Sequence, residues 1–265
     1  EQLRQEDMKD LVEPLDRATD TLNRVDRDIF FKRFAQSDAV QYFYEPFLQA
    51  FDPDLRKDLG VWYTPPEIVR YMVERVDVVL RSELGIEDGL ADPRVYVLDP
   101  CCGTGAFLLE VLRRIERTLK DKGDDALVAQ DVKAAARERV FGFEIMPAPF
   151  VVSHLQLGLM LDSLGAPLNS KANERVGVYL TNSLTGWESV RKPKDILFME
   201  LEAERDAAED VKRSKPILVI IGNPPYNAFA GVSPAEEEGL VEPYKDGLVT
   251  EWKIRKFNLD ELYVR

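Results

Sequence analysis

The chain has 265 residues, 45% hydrophobic and 31% charged, which is the balance of a globular protein with a sizeable core and not of a disordered segment. One histidine and two adjacent cysteines exclude a multi-histidine metal centre and a disulfide scaffold. The net charge of −13 leaves no overall basic face of the kind by which a duplex-DNA binder normally advertises itself.

No apolar run reaches the ~18 residues of a membrane span and no secretory leader opens the chain, so the expected setting is the cytoplasm, with no membrane partner. The sequence starts at Glu1 and stops at Leu262-Tyr263-Val264-Arg265, and both ends are expected to be cut from something longer.

Residues 1–58 read as a helical segment. Val40, Phe43, Tyr44, Phe47, Leu48 and Phe51 make one apolar stripe at helical spacing, with Ser37 and Asp38 before it as caps and Pro46 bending it. In Tyr63-Thr64-Pro65-Pro66, Thr64 is the expected N-cap and Pro65 the first helical residue. Ile68, Val69, Met72, Val73, Val76 and Leu80 then repeat at helical spacing as far as Gly85.

Strand and helix patterns alternate from there. Arg94–Asp99 is a β-branched run, the turn Pro100–Gly105 follows, and Phe107–Leu119 and about Asp124–Arg139 read as helices. Val140–Glu144 is a strand, Phe150–Leu161 a helix, and Val176–Leu180 a strand. An acidic helix over about Phe198–Arg213 leads to the most apolar strand, Pro216–Gly222. This alternation predicts an α/β fold with a parallel sheet and helices on both faces. Residues 227–265 read as loop and the start of a further segment.

Three places carry chemistry. Asp99-Pro100-Cys101-Cys102-Gly103-Thr104-Gly105-Ala106-Phe107 joins a strand to a helix. Its glycines let backbone approach a ligand at a helix N-terminus, and Asp99 faces the crevice as an acid suited to a cationic amino group. The loop is neither G-x-G-x-x-G nor a P-loop. Glu144 ends the next strand, where a carboxylate accepts from ribose hydroxyls. The two acids together favour an adenosyl ligand. Gly222-Asn223-Pro224-Pro225-Tyr226 is a rigid loop after the most buried strand. His154 reads as a core or rim histidine, Cys101 and Cys102 mainly as packing residues, and no metal site is expected.

Asp99 to Phe107 together with Asn223-Pro-Pro-Tyr226 resembles the amino-methyltransferases, specifically the DNA adenine enzymes. The Tyr63-Thr64-Pro65 element upstream of the glycine loop is similar to the gamma group, and the likeness runs from about Gly60 to Tyr226. The stretch around Phe43–Leu48 further resembles the coupler of type ISP and type IIG single-chain restriction–modification proteins. The resemblance implies a Rossmann-like S-adenosylmethionine-dependent methyltransferase core over residues 59–226, preceded by the helical segment.

In that likeness Gly103 and Gly105 cradle S-adenosylmethionine, with Cys101 and Phe107 in the same loop, and Asp99 sits near the methionyl amino group. Thr64, beside Tyr63 and Pro65, holds the methionyl end from the other side. Glu144 binds the ribose, Ile145 lies against the adenine, and Asn182 takes the place of an acid that reads the 6-amino group. Asn223 and the Pro224 carbonyl accept from the target amine, and Tyr226 stacks on a flipped adenine. The partner implied is duplex DNA, with a nuclease or translocase and a target-recognition domain attached. Four strands are counted where the fold has seven, so its C-terminal part is expected beyond Arg265, and residues 1–265 alone are expected to methylate and bind DNA poorly. Two other readings stay open: methylation of a protein glutamine or an RNA base, and a non-catalytic cofactor-binding fragment.

Overall fold

Order in the sheet places the two motif-bearing strands side by side. The structure is a computed structural model that describes residues 16–17, 19–20, 23–24, 26, 64–123, 127–185 and 199–224. All the elements below belong to the second of two units into which the chain divides, Glu45–Arg265. The expected stripe from Val40 to Phe51 lies outside the described residues.

In chain order the elements are α1 (Pro66–Ser82), a 3₁₀ turn (Gly89–Ala91), β1 (Tyr96–Asp99), α2 (Ala106–Asp121), α3 (Val128–Glu138), β2 (Val140–Glu144), α4 (Pro147–Ser163), β3 (Val178–Leu180), α5 (Met199–Ser214) and β4 (Ile217–Ile220). The four strands form one parallel sheet in the order β3-β2-β1-β4. From β1 the chain steps outward to β2 and β3, then returns to lay β4 on the opposite side of β1. The winding therefore reverses between β1 and β4, and the crevice beyond their carboxyl ends is the place where open α/β sheets bind ligands.

Side chains alternate across the sheet as the pleat requires. Val97, Val140, Val178 and Val219 point to one face and join a core with Val69 and Val73 of α1, Leu108 and Leu112 of α2, Val132 of α3 and Leu157 of α4. Leu98, Phe141 and Phe143 point to the other and pack on Ala208 and Val211 of α5. Helices on both faces are thus observed. Among the described residues β4 is an edge strand, and Leu218 and Ile220 on it are 49% and 69% exposed.

At two helix starts that differ from the sequence reading, proline supplies the reason. Pro65 is extended (φ −53°, ψ 138°) and Pro66 opens α1. A residue that precedes proline is pushed out of the α region, so Pro66 keeps Pro65 from being helical. Thr64 then stands one residue too early to cap, and the helix has no side-chain cap. α4 begins at Pro147, before the expected Phe150, because the N–H groups of the first turn have no acceptor in the helix and prolines there cost nothing.

α1 is anchored by a buried carboxylate. Asp77 is fully buried; its Oδ2 accepts from Arg81 Nε at 2.8 Å and from Arg114 Nε and Nη2 at 3.0 and 2.8 Å, and its Oδ1 accepts from the Leu90 amide at 2.8 Å. Arg81 also donates to the Glu87 and Asp88 carbonyls and to Thr118 Oγ1. One acid therefore ties α1 to α2 and to the 3₁₀ turn. Gly89 is required beside it, since a Cβ there would collide with Asp77 Oδ1.

Candidate functional site

The loop after β1 turns on two left-handed glycines, Gly103 (φ 55°) and Gly105 (φ 90°), and they do different work. A Cβ on Gly103 would meet nothing within 4 Å, so this residue borders open space. A Cβ on Gly105 would lie 3.2 Å from Ser153 Cβ, so Gly105 is what lets the start of α2 approach α4. The two glycines thus differ in what a side chain would meet: open space at Gly103 and Ser153 of α4 at Gly105. An arginine at Gly103 is expected to keep the fold, at a left-handed-backbone cost of roughly 1–2 kcal/mol, while filling the crevice. Arginine at Gly105 is expected to lower the melting temperature by much more. Paired thermal melts and ligand titrations of the two variants check this.

The loop is held from beneath at three points. The Cys102 amide donates to the Phe143 carbonyl at 2.9 Å, Gln156 Nε2 donates to the Thr104 carbonyl at 2.9 Å, and the Cys102 side chain packs so close on Gly142 that a Cβ there would lie 2.9 Å from Sγ. Burial, then the Asp99 and Glu144 charges, push the Cys102 thiol well above its ordinary value, which suits a packing role. Cys101 is half-buried. The Phe107 side chain belongs to the core.

Asp99 is buried at the carboxyl end of β1. Its Oδ1 accepts from the Cys101 amide at 3.0 Å, while Oδ2 has no hydrogen-bond partner among the described residues. Burial, then the Glu144 charge, push the carboxyl up to about 7 against the pull of the Cys101 amide. An orphaned acceptor of this kind is costly and fits a site completed by a cation. The protonated acid is the form the ligand-free fold favours. Its stabilising contribution is full below the ordinary carboxylate pKa of about 4 and is lost as pH rises through about 7. Asp99→Asn is therefore expected to raise the melting temperature of the ligand-free protein at pH 8 and to leave it nearly unchanged at pH 4, as calorimetry at the two pH values would record.

Glu144 stands beside Asp99 on the neighbouring strand and is also buried. Its Oε2 accepts from the Gly103 amide at 2.9 Å, and Oε1 accepts from the Ile145 and Met146 amides, both at 2.8 Å. Burial raises its carboxyl and these three amides oppose the rise. Three of about four acceptor positions on a carboxylate are used, so the acid clamps the glycine loop to β2 and keeps capacity for one more donor. Ile145 next to it is 62% exposed.

Asn182 follows β3, where its Oδ1 accepts from the Leu184 amide at 2.9 Å. Asn223 follows β4, and its Nδ2 donates to Thr64 Oγ1 at 3.0 Å. Thr64 thus meets the Asn-Pro-Pro loop and not the end of its own helix, closing a contact over 159 residues. Gly222, quoted with the motif but given no role by sequence reasoning, must lack a side chain because a Cβ would collide with Asp99 Oδ1. Asp99 and Glu144 accordingly stand at the carboxyl ends of strands, Gly103, Asn182, Asn223 and Pro224 follow such ends, and Thr64 meets Asn223. Tyr63 and Tyr226 lie outside the described residues. His154 is a packing residue: it stacks edge-on with Phe150 at 4.6 Å and its Nε2 lies 3.1 Å from the Val178 carbonyl. Among the described residues no cluster of three or more metal-binding side chains occurs, and no helix is long and apolar enough to cross a membrane.

Residues 35–164 match the family model described as N-6 DNA Methylase, and the chain carries that region from before α1 to the end of α4. It is 28% identical over 188 residues to the adenine-specific methyltransferase PglX of Streptomyces coelicolor (strain ATCC BAA-471 / A3(2) / M145), covering 64% of this chain and 15% of that protein. Among solved structures it is similar to the ATP-dependent type ISP restriction–modification enzyme LlaBIII bound to DNA, with TM-score 0.61 and 25% identity over 78% of this chain and 14% of the other. It is also similar to DrdV in its DNA complex, with TM-score 0.58 and 26% identity over 85% and 20% of the two chains. The chain thus spans a seventh to a fifth of the length of these relatives.

Proposed function

We propose, for a chain whose residues 35–164 match the family model described as N-6 DNA Methylase, that the β1/β4 crevice transfers a methyl group from S-adenosylmethionine to the 6-amino group of adenine in DNA, as part of a restriction–modification protein. The observation that carries the reading is the meeting of Asp99, Gly222, Asn223 and Thr64 at the point where the sheet's winding reverses.

The residues fit this cofactor. The buried Oδ2 of Asp99, without a hydrogen-bond partner among the described residues, suits the methionyl ammonium, and Thr64, which meets Asn223, would hold the methionyl end. Gly103 leaves room for ligand where any side chain would intrude. Glu144 keeps one acceptor position for a ribose hydroxyl, exposed Ile145 offers an apolar surface to the adenine ring, and Asn182 offers an amide to its edge. When bound, S-adenosylmethionine supplies a methyl group on an electron-poor sulfonium. Asp99→Asn is expected to weaken binding and to remove its rise with pH between about 5 and 7, because an ammonium prefers the ionised acid.

The target amine is conjugated with its ring and is a poor nucleophile. With Nδ2 held by Thr64, Asn223 presents Oδ1 as an acceptor. Oδ1 and the Pro224 carbonyl together take the two amine hydrogens, draw the nitrogen toward tetrahedral geometry and aim its lone pair. The contribution is positioning and electrostatics, with no covalent intermediate on the protein. Tyr226 offers a face on which an extruded base stacks, which offsets part of an unstacking cost of roughly a few kcal/mol. The cysteines take no part.

Tritiated methyl transfer from S-adenosylmethionine to unmethylated duplex DNA, structured RNA and a protein extract, using the protein that carries this chain, tests the substrate class. Label in DNA is expected; label confined to RNA or to protein would replace this reading with methylation of an RNA base or a glutamine side chain.

A further inference from the structure

Arg139 and Lys212 are both buried cations that the mechanism above does not use, and Lys212 lies beside the site. Lys212, in the last turn of α5, is buried. Its Nζ donates to the Asn182 carbonyl at 2.6 Å, the Thr185 carbonyl at 2.7 Å and Thr181 Oγ1 at 3.1 Å. All three ammonium hydrogens are thereby spent on one turn, the turn that follows β3. Nζ also stands 5.0 Å from the centre of the Phe143 ring, on the residue that precedes Glu144. Burying an ammonium is costly, and an apolar side chain would fill the same space without that cost. What the charge adds is direction: it gathers three oxygens of a short irregular segment to a point. The same turn is tied to β2 by the Thr181 amide, which donates to the Glu144 carbonyl at 2.8 Å, and the Asn182 side chain is set within it by the Leu184 amide. Burial draws the ammonium down to about 8, so it stays charged at neutral pH.

We propose that Lys212 is a positioning residue for the adenine end of the cofactor site, fixing the 181–185 turn so that Asn182 meets the ring; this rests on the function proposed above. It acts through Asn182 and touches neither the cofactor nor DNA.

The test is a double-mutant cycle on S-adenosylhomocysteine affinity, measured by calorimetry on the full chain as wild type, Lys212→Met, Asn182→Ala and the double variant. Lys212→Met is expected to weaken binding about tenfold, the scale of one charge-assisted hydrogen bond. In the Asn182→Ala background it is expected to have no further effect. Thr181→Val, which removes one acceptor and leaves the lysine in place, is expected to weaken binding about threefold and likewise to lose its effect without Asn182. This milder variant keeps the test open if Lys212→Met does not fold. Unchanged affinity in the Lys212 and Thr181 variants, or effects that add in full to that of Asn182→Ala, would overturn the assignment, since a purely structural lysine gives additive losses. A wild-type chain that fails to bind S-adenosylhomocysteine at all would instead overturn the proposed function, and this assignment with it.

Discussion

Asn223→Ala is expected to lower the single-turnover rate of methyl transfer by about 10²–10³, the scale seen when one preorganised polar group is removed from a reacting centre. Two losses combine in that figure. The proposed acceptor Oδ1 for the amine hydrogen disappears, and the Nδ2 bond to Thr64 that orients the carboxamide disappears with it. Cofactor affinity should fall far less, by no more than about tenfold, because the only cofactor-side consequence is one neutral hydrogen bond worth about 0.5–1.5 kcal/mol. Rapid-quench transfer and equilibrium cofactor binding on the same preparation separate the two quantities. A variant that loses binding and keeps the rate of the bound complex would assign Asn223 to the cofactor and leave the target amine without its acceptor.

Asp77→Ala is expected to destabilise the protein by about 3–5 kcal/mol, since removing one partner of a buried ionic cluster leaves the others uncompensated. The stranded groups are Arg81, Arg114 and the buried Leu90 amide. Burial alone would raise the Asp77 carboxyl, but the Leu90 amide and the two guanidinium groups outweigh it and hold the carboxyl below its ordinary value. A depressed carboxyl stabilises the fold above the unfolded pKa, about 3.9, and that contribution is lost as pH falls through the lower folded value. Urea titrations should therefore show the wild-type advantage over the alanine variant in full at pH 7 and diminished in strong acid. The variant should also transfer methyl groups poorly at temperatures where it is still folded, because α1 carries Thr64 to Asn223.

Much of this was legible in the sequence because the signals are local. Val140–Glu144 is a strand to the residue, and alternating strand and helix patterns implied the parallel sheet with helices on both faces. Asp99, Gly103, Glu144 and Asn223 stood out because acids, glycines and rigid prolines at strand ends have few other uses. Long-range relations were not legible. No periodicity tells on which side of β1 the last strand pairs, and that choice creates the crevice. Nor does spacing reveal that Thr64 meets Asn223 or that Gly105 faces Ser153. The start of α1 was misread because Pro65 is itself followed by proline, and the second ring overrides the preference of the first. Lys212 was hidden in an acidic helix pattern, where a lysine normally lies in solvent.

The most direct test of the central claim is the identity of the methylated nucleoside. Duplex DNA incubated with S-adenosylmethionine and the protein that carries this chain, then digested to nucleosides and resolved by mass spectrometry, should contain new N6-methyladenine and none in a parallel reaction with Asn223→Ala. New methylcytosine without methyladenine, or methyladenine formed equally well by the Asn223 variant, would contradict the assignment of the β1/β4 crevice to adenine methylation.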